Sequence, residues 1–260
     1  MNISLKGKIA LVGGSTRGIG LAISKQLASS GASVCLMSRN QSKMEKIVDQ
    51  LSKDLNQEHT FIKVDFSDFD SFKGIMKDFF NERKIDILIN NTQGPSSGNT
   101  LSKSVDDYQF AFDLLFKNIV YTSSLALDHM KKQNWGRIIN IASTAGLKGY
   151  AYVTAYSAAK HGVIGLTRSL ALETANTGIT VNAICPGYTE TGLTENAIEN
   201  ISLKTGITKS EAREELLKSN PQKRFIQPEE IANTVLWLCK IDAASITGQA
   251  ISISGGEVMS

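Results

Sequence analysis

Short apolar runs recur along the chain, and longer stretches with apolar residues at helical spacing lie between them. Short apolar runs are typical of buried strands, whereas a period of about 3.6 residues is typical of helices. The predicted strands span residues 8–12, 33–37, 60–64, 85–89, 137–141, 180–184 and 250–253. The predicted helices span residues 21–28, 43–55, 71–80, 105–133, 156–175 and 228–238.

This alternation predicts an α/β fold, with a doubly wound, seven-stranded parallel sheet and helices on both faces. Ligands of such sheets bind at the carboxyl ends of the strands. The chain shows no internal repeat or linker, so we expect a single domain over residues 1–260. Within it, residues 190–227 are charged and helix-prone, which predicts a lid over a substrate pocket. A surface excursion without a function is the alternative.

Composition and charge narrow the classes of function. The net charge is only +3 and lysines and arginines do not cluster, so we expect no nucleic-acid partner. The cysteines (Cys35, Cys185 and Cys239) and the three histidines are scattered, which predicts reduced core thiols and no metal site. Apolar runs stay well below ~18 residues and no signal peptide is evident, so we expect a cytoplasmic protein that does not insert into a membrane.

A glycine-rich turn follows the first predicted strand. Gly14, Gly18 and Gly20 stand between that strand and an amphipathic helix. Glycines at these positions let the backbone approach a pyrophosphate, whose charge is bound by amides at the helix N-terminus. A glycine-rich turn is weak evidence alone, but this context predicts a bound nucleotide.

The end of the second predicted strand indicates which cofactor binds. An acidic residue there binds the ribose hydroxyls of NAD and repels a 2′-phosphate. Here Ser38 occupies the position, followed by Arg39, and Arg17 lies in the glycine turn. Because guanidinium groups suit phosphate recognition, these residues favour NADP(H). Two solvated surface arginines are the alternative.

Tyr156 and Lys160 are four residues apart on a predicted helix, and Ser143 follows the fifth predicted strand. Residues at this spacing share a helix face, so the ammonium can act on the phenol. A nearby cation lowers the pKa of a phenol, whose ordinary value is about 10, toward the working range. The two hydroxyls and the lysine therefore form a candidate site that binds and protonates a carbonyl oxygen. As an isolated motif, the pair is more often an ordinary helix surface pair.

Together these residues resemble the short-chain dehydrogenase/reductase family, nearest to its 3-oxoacyl-acyl-carrier-protein reductase group, over essentially the whole chain. The motifs appear in the family's order: Gly14-x-x-x-Gly18-Ile19-Gly20, Asn90-Asn91, Ser143, Tyr156-x-x-x-Lys160, Pro186-Gly187 and Ile246-Thr247-Gly248-Gln249. The resemblance implies a Rossmann-type fold and an oxidoreductase. It also implies a homo-oligomer, a dimer or a homotetramer, formed through helices 105–133 and 156–175.

The resemblance also assigns roles to single residues. Tyr156 passes a proton to the carbonyl oxygen, Ser143 hydrogen-bonds that oxygen, and Lys160 binds the nicotinamide ribose and lowers the pKa of Tyr156. Asp65 is expected to face the adenine. The implied cofactor-binding residues are Gly14, Ser15, Thr16, Arg17, Gly18, Ile19, Gly20, Ser38, Arg39, Asp65, Phe66, Asn91, Tyr156, Lys160, Pro186, Gly187, Thr189 and Thr191.

The sequence departs from the family pattern at four places. Gly13 replaces a threonine whose hydroxyl braces the turn, and residues 90–93 read N-N-T-Q instead of N-N-A-G. Leu115 stands where the family has its catalytic asparagine. Asn118, one helical turn on, shares roughly that helix face and is the candidate replacement. The lid is longer than in typical reductases of this group.

The resulting hypothesis is an NADP-dependent enzyme that reduces a carbonyl to a hydroxyl, with a 3-oxoacyl thioester as the plausible substrate. One alternative is a dehydrogenase that oxidises a secondary alcohol, such as a sugar or a steroid. Another, motivated by Leu115, is a nucleotide-binding protein with weakened catalysis. The substrate pocket is expected between residues 94–101, residues 147–153 and the lid, where the sequence offers no diagnostic charge.

Overall fold

Seven strands form one sheet in the computed structural model, which describes residues 4–95 and 97–259. The strands are β1 (Ile9–Gly13), β2 (Ser33–Ser38), β3 (Thr60–Lys63), β4 (Ile87–Asn90), β5 (Gly136–Ile141), β6 (Ile179–Pro186) and β7 (Ala250–Ile253). All pairs are parallel, in the order β3-β2-β1-β4-β5-β6-β7. The predicted seven-stranded parallel sheet is confirmed. The strand order reverses between β1 and β4, which opens a crevice at their carboxyl ends.

Nine α-helices lie within the described residues. They are α1 (Gly18–Ser29), α2 (Gln41–Gln50), α3 (Phe69–Glu82), α4 (Val105–Phe112), α5 (Asn118–Gln133), α6 (Thr154–Thr174), α7 (Gly192–Thr205), α8 (Lys209–Leu217) and α9 (Pro228–Leu238). None of the helices in the described part of the chain has both the length and the apolar character needed to cross a membrane.

Each face of the sheet has its own core. Successive side chains on a strand point to opposite faces, so Ala10 and Val12 of β1 pack with α1 and α9, whereas Leu11 packs with α3 and α5. Burying one large apolar side chain contributes about 1.5–3 kcal/mol. The two cores therefore fix the helices that surround the carboxyl ends of the strands. The three cysteines are free and buried, as predicted.

Two predicted helices differ from the structure by more than three residues or in their internal geometry. The helix predicted over 43–55 ends at Gln50, because the following loop is held by other contacts. The amide of Gln57 donates to the carbonyl of Ala28 at 2.7 Å, and the His59 ring bonds to the carbonyl of Ser52 at 2.7 Å. The helix predicted over 105–133 contains a π-helical turn, Asp113–Lys117, between α4 and α5. Tertiary contacts thus override the local helical pattern in both places.

The segment predicted as a lid folds into α7 and α8. Ile198, Ala212 and Phe225 form a small apolar cluster between these helices and the chain that follows them. The guanidinium of Arg213 on α8 contacts both carboxylate oxygens of Glu190, at 3.1 and 2.8 Å. The segment is therefore attached to the loop after β6.

Candidate active site

The turn between β1 and α1 has a backbone suited to an anion. Gly14 and Gly18 have φ angles of +57° and +50°, which glycine adopts without strain. At Gly20, a Cβ atom would lie 2.4 Å from the carbonyl oxygen of Gly14, so only glycine fits. Helix α1 begins after Arg17 without a side-chain cap. The backbone N–H groups of its first turn therefore remain available to a ligand, while Ile19 packs against the core.

Gly13 is explained by its contact with Asn91. A Cβ atom on Gly13 would lie 2.8 Å from the carbonyl oxygen of Asn91, which leaves no room for threonine. The Asn91 amide donates to the Gly13 carbonyl at 3.0 Å. The hydroxyl of Ser15 accepts from the backbone N–H of Met37 at 3.0 Å. The turn thus lacks a hydroxyl at position 13, and Ser15 and Asn91 provide its hydrogen bonds.

Polar and charged side chains surround the carboxyl end of β2. The hydroxyls of Thr16 and Ser38 lie 3.2 Å apart. Arg39 is largely exposed, with a guanidinium nitrogen 3.9 Å from a carboxylate oxygen of Asp65. Arg17 donates to the side-chain oxygen of Gln93, which follows β4. Both arginines therefore lie at the mouth of the crevice that the sheet opens.

Asp65 and Phe66 follow β3 at the same edge. Hydrogen bonds from the hydroxyl and backbone N–H of Ser67, at 2.6 and 2.9 Å, lower the pKa of Asp65. The ring of Phe66 packs 5.5 Å from that of Phe72. The carboxylate of Asp65 is therefore fixed and charged beside the crevice.

The loop after β6 closes against the glycine turn. The N–H of Gly187, which follows Pro186, donates to Ile253 at 2.9 Å, and the hydroxyl of Thr189 donates to the Gly187 carbonyl at 3.0 Å. Thr191 precedes α7, and its Cγ2 would lie 3.0 Å from a Cβ atom on Gly18. The start of the lid segment therefore contacts the turn that carries Gly18.

Ser143, Tyr156 and Lys160 come together as predicted. Ser143 follows β5, and its hydroxyl accepts from the N–H of Ala145 at 3.1 Å. Tyr156 lies in the first turn of α6, where Lys160 follows one turn later. The ammonium of Lys160 lies 5.7 Å from the centre of the Tyr156 ring and donates to the Ile141 carbonyl at 2.7 Å. The lysine is thus anchored to the end of β5.

The electrostatics of Tyr156 differ from the expectation. Burial raises the pKa of the Tyr156 phenol, and a hydrogen bond from Ser143 opposes the rise. Burial lowers the pKa of Lys160 to about 8. The expected lowering of the tyrosine pKa is wrong for this arrangement, because burial raises it, and the ammonium of Lys160 is directed at the Ile141 carbonyl. Tyr156 therefore keeps its proton at neutral pH.

Asn118 is tied to backbone carbonyls. Its amide nitrogen lies 2.7 Å from the carbonyl oxygen of Phe66, 3.1 Å from that of Asp113 and 3.2 Å from that of Leu114. It thereby closes the π-helical turn onto the loop after β3. Leu115 is fully buried in that turn. These contacts give Asn118 a bracing role, and its replacement of the family asparagine stays a prediction.

A buried chain of amides and hydroxyls holds α6 against the sheet. The amide of Asn90 donates to the side-chain oxygen of Asn140 at 2.8 Å, and Asn140 donates to the hydroxyl of Thr167 at 2.8 Å. Thr122 of α5 donates to Asn90 at 2.8 Å. Since these groups are buried, each bond avoids an unsatisfied polar atom. The sequence signal was an asparagine inside each of two apolar strands.

A charged pair adjoins the turn after Ser143, where the N–H of Lys148 donates to the Thr144 carbonyl at 3.0 Å. The carboxylate of Glu257 is almost fully buried and lies 3.2 Å from the ammonium of Lys148. Lys148 belongs to the predicted pocket segment 147–153, but Glu257 was missed. The available signal was its position just after β7, at the carboxyl end of a strand.

Comparisons with known proteins bear on this site. The family model described as short chain dehydrogenase matches residues 8–202. The 3-oxoacyl-acyl-carrier-protein reductase FabG of Aquifex aeolicus is 34% identical over 257 residues, which cover 98% of this chain and 99% of the relative. The D-beta-hydroxybutyrate dehydrogenase of Rhizobium meliloti is 37% identical over 254 residues, which cover 96% of this chain and 98% of the relative.

Solved structures agree with these relatives. A variant of actinorhodin polyketide ketoreductase, solved with NADPH, has a TM-score of 0.88 and 32% identity, and the match covers 96% of this chain and 97% of that one. YwfH, an NADPH-dependent reductase involved in bacilysin biosynthesis, has a TM-score of 0.89 and 28% identity, and the match covers 97% of this chain and 99% of that one. The chain belongs to the short-chain dehydrogenase/reductase family, whose relatives include 3-oxoacyl-acyl-carrier-protein reductases and polyketide ketoreductases.

Proposed function

We propose that this protein is an NADP-dependent reductase that converts a carbonyl, in a 3-oxoacyl thioester, to a hydroxyl. The observation that carries the proposal is the convergence of Ser143, Tyr156 and Lys160 at the carboxyl edge of the sheet, beside the glycine turn. Relatives named as ketoacyl or polyketide reductases support the substrate class. Membership of an oxidoreductase family supports the reaction type.

The residues of the chain supply orientation and a proton. NADPH, when bound, supplies the hydride that adds to the carbonyl carbon. The raised pKa of Tyr156 keeps its phenol protonated at neutral pH, so it can donate that proton to the carbonyl oxygen. The hydroxyl of Ser143 binds the same oxygen, and the buried Lys160 supplies positive charge beside the developing alkoxide.

The fit of the cofactor rests on the glycine turn. The missing Cβ atoms at Gly14 and Gly20 let the turn pack closely on itself and on Asn91, which leaves the uncapped start of α1 as the anion-binding end. Ser38 in place of an acidic residue, with Arg39 exposed beside it, supports NADP(H) over NAD(H). A 2′-phosphate at this position would gain charge-assisted hydrogen bonds from guanidinium groups.

Arg39→Ala tests the choice of cofactor. Loss of one charge-assisted contact should raise KM for NADPH about tenfold or more. KM for NADH should change less than about twofold, since NADH lacks the 2′-phosphate. Steady-state kinetics with both cofactors measure the split. Lys46→Ala, at an exposed cation on α2, is the matched control. An equal effect on both cofactors would contradict the assignment.

Tyr156→Phe tests the chemistry. Removing the proton donor should lower kcat about 10³-fold, within the usual range for general acid catalysis, while NADPH affinity stays within about twofold. The assay follows NADPH absorbance with acetoacetyl-coenzyme A as the 3-oxoacyl thioester. Tyr121→Phe, which removes a phenol bonded to the carbonyl of Lys73, is the control. An unchanged rate would remove Tyr156 from the mechanism.

Oxidation of a secondary alcohol is a second candidate, and its support is the 37% identity to a D-beta-hydroxybutyrate dehydrogenase. Assays in both directions, over thioesters, ketones, hydroxy acids, sugars and steroids, separate the two reactions. Weakened catalysis is a third candidate, supported by the buried Leu115 at the family's asparagine position. Robust NADPH consumption with any carbonyl would exclude it.

The assembly and the lid belong to the same proposal. Residues 190–227, with α7 and α8, would cover the bound substrate and open for its exchange. Exposed apolar side chains on α4, α5 and α6, namely Phe110, Val120 and Leu172, support a dimer or tetramer formed through these helices. Sedimentation or light scattering measures the mass, and a monomer at working concentration would contradict the assembly.

A further inference from the structure

Glu257 lies at a junction of three loops at the carboxyl edge. It belongs to the tail after β7, and one oxygen of its carboxylate lies 2.6 Å from the Tyr150 hydroxyl and 3.2 Å from the Lys148 ammonium. The other oxygen faces Gly187, in the loop after β6, and would lie 3.3 Å from a Cβ atom added there. The Glu257 side chain is only 2% exposed. Such burial of a carboxylate is costly unless it is paired and hydrogen-bonded, so these partners are needed to hold it.

Hydrogen bonds continue from Glu257 toward Ser143. The Tyr150 hydroxyl also lies 2.9 Å from the hydroxyl of Thr144, the residue after Ser143. A phenol has one proton, which goes to the carboxylate as the stronger acceptor, so Thr144 donates to the phenolic oxygen. Burial, followed by the hydrogen bond to Glu257, raises the pKa of Tyr150. Tyr150 therefore remains a donor throughout the neutral range.

Thr144 in turn belongs to the turn that presents Ser143. The N–H groups of Gly146 and Leu147 donate to the carbonyls of Ser143 and Thr144, each at 2.9 Å. Fixing the Thr144 hydroxyl therefore fixes the turn, and with it the direction of the Ser143 side chain. A displacement of about 1 Å at a reacting group is enough to slow catalysis strongly.

We infer that Glu257 is a positioning residue, which acts through Tyr150 and Thr144 to hold Ser143 against the substrate carbonyl. This inference rests on the proposed function, because it gives Ser143 its role in binding the carbonyl oxygen. The Lys148 ammonium, 3.2 Å away, supplies a countercharge for the buried carboxylate. The tail after β7 is thereby part of the reductase site.

The test compares Glu257→Ala, Tyr150→Phe and the double variant. We expect each single variant to lower kcat about tenfold, the effect of one lost hydrogen bond to a charged group, and to leave NADPH affinity within about twofold. The double variant should lose no more than Glu257→Ala, because both residues act along one chain of bonds. Glu257→Gln keeps an acceptor for Tyr150 and should recover part of the rate.

Asp86→Asn is the matched control. Asp86 is another buried carboxylate, which accepts from the Ile9 N–H and the Gln133 amide, each at 2.8 Å, where β4 begins. The Asp86→Asn variant should have a lower thermal midpoint of unfolding, but its kcat should stay within about twofold of the wild type. A wild-type kcat in Glu257→Ala, or independent losses that multiply in the double variant, would overturn the inference.

Hydrogen exchange supplies a readout that needs no turnover. The amides of Gly146 and Leu147 should exchange faster in Glu257→Ala than in the wild type or in Asp86→Asn. Unchanged exchange would overturn the positioning role even if turnover falls. A wild type that reduces no carbonyl would instead overturn the proposed function, while the exchange experiment would still decide whether Glu257 orders this turn.

Discussion

The two edges of the sheet differ in how they neutralise the ends of the surrounding helices. Helices that connect parallel strands run back across the sheet, so their C-termini gather where the strands begin, at the amino edge. There the buried Arg137 donates to the carbonyls of Gly136, Gly178 and Lys240, at 2.7, 3.1 and 3.2 Å. These carbonyls follow α5, α6 and α9. Their partial negative charge is therefore balanced by a residue of the chain itself.

The carboxyl edge leaves a positive helix end open. Helix α1 begins without a side-chain cap, beside glycines that let the turn approach Asn91 closely. Because no side chain of the described residues caps that end, its partial positive charge suits an anionic ligand. A helix N-terminus therefore marks a binding site when no side chain neutralises its partial positive charge and the neighbouring backbone is glycine-rich.

Gly20→Ala should disrupt the glycine turn at the carboxyl edge, and we expect it to have the largest effect on stability and cofactor binding. The new methyl would meet the Gly14 carbonyl at 2.4 Å, and a clash with backbone costs up to about 3 kcal/mol of stability. The displaced turn should also weaken NADPH binding about 100-fold, measured by fluorescence titration beside chemical unfolding.

Gly74→Ala is the matched control for that change. Gly74 lies on α3, and an added Cβ would meet no atom within 4 Å. Alanine is the better helix former, so this variant should gain about 0.5–1 kcal/mol in the free energy of unfolding. Equal behaviour of the two variants would mean that the close approach at Gly20 does not matter for the turn.

Arg137→Met should instead destabilise the amino edge of the sheet, where the guanidinium binds backbone carbonyls. Burial lowers the pKa of this guanidinium, and the side chain is almost fully buried. Removing it takes the guanidinium donor away from three backbone carbonyls, which should cost about 2 kcal/mol of unfolding free energy. The kcat of the folded enzyme should stay within about twofold, because the change lies at the opposite edge from Tyr156.

Arg83→Met provides the exposed counterpart, since Arg83 lies at the end of α3 in contact with solvent. It should change the unfolding free energy by less than about 0.5 kcal/mol. Denaturant titrations of both variants make the comparison. An Arg137 variant that unfolds like the wild type would show that the amino edge does not need its cation.

The glycine turn at the carboxyl edge was easier to predict from the sequence than the role of Arg137 at the amino edge. Gly14, Gly18 and Gly20 have a local pattern, because a tight turn needs glycine at fixed spacing. Arg137, in contrast, is one basic residue in a strand pattern, and the carbonyls it binds belong to residues up to 103 positions away. Such partners are set by the packing of α5, α6 and α9 and have no local signal.

The same limit applied within the candidate site. Ser143, Tyr156 and Lys160 could be predicted from spacing and resemblance, whereas Glu257 pairs with Tyr150 across 107 positions. The pKa of Tyr156 also depends on burial and on its hydrogen bond with Ser143. Those are properties of the folded chain, which a motif does not contain.

Glu230→Gln tests a second helix N-terminus at the carboxyl edge, and we expect it to have the smallest effect on stability. Helix α9 also begins at the carboxyl edge, but there Glu230 accepts from the Gln227 N–H at 2.8 Å and from Arg224 at 2.6 and 2.8 Å. This end is closed by the chain, unlike that of α1. The Arg224 hydrogen bonds lower the pKa of Glu230 from 4.5 to about 2. Because the carboxylate is partly exposed and screened, its loss should cost only about 0.5–1 kcal/mol at pH 7.

The contribution of Glu230 to stability should decrease as the pH falls. A carboxyl whose pKa is lower in the folded state stabilises the protein above its unfolded value, and that contribution is lost as the pH falls from about 4.5 toward 2. The difference in unfolding free energy between wild type and Glu230→Gln should therefore shrink below about pH 4.5. Glu229→Gln, in the same first turn, controls for the charge alone. A difference that stays constant from pH 7 to 3.5 would mean that the ionised pair does not close this helix end.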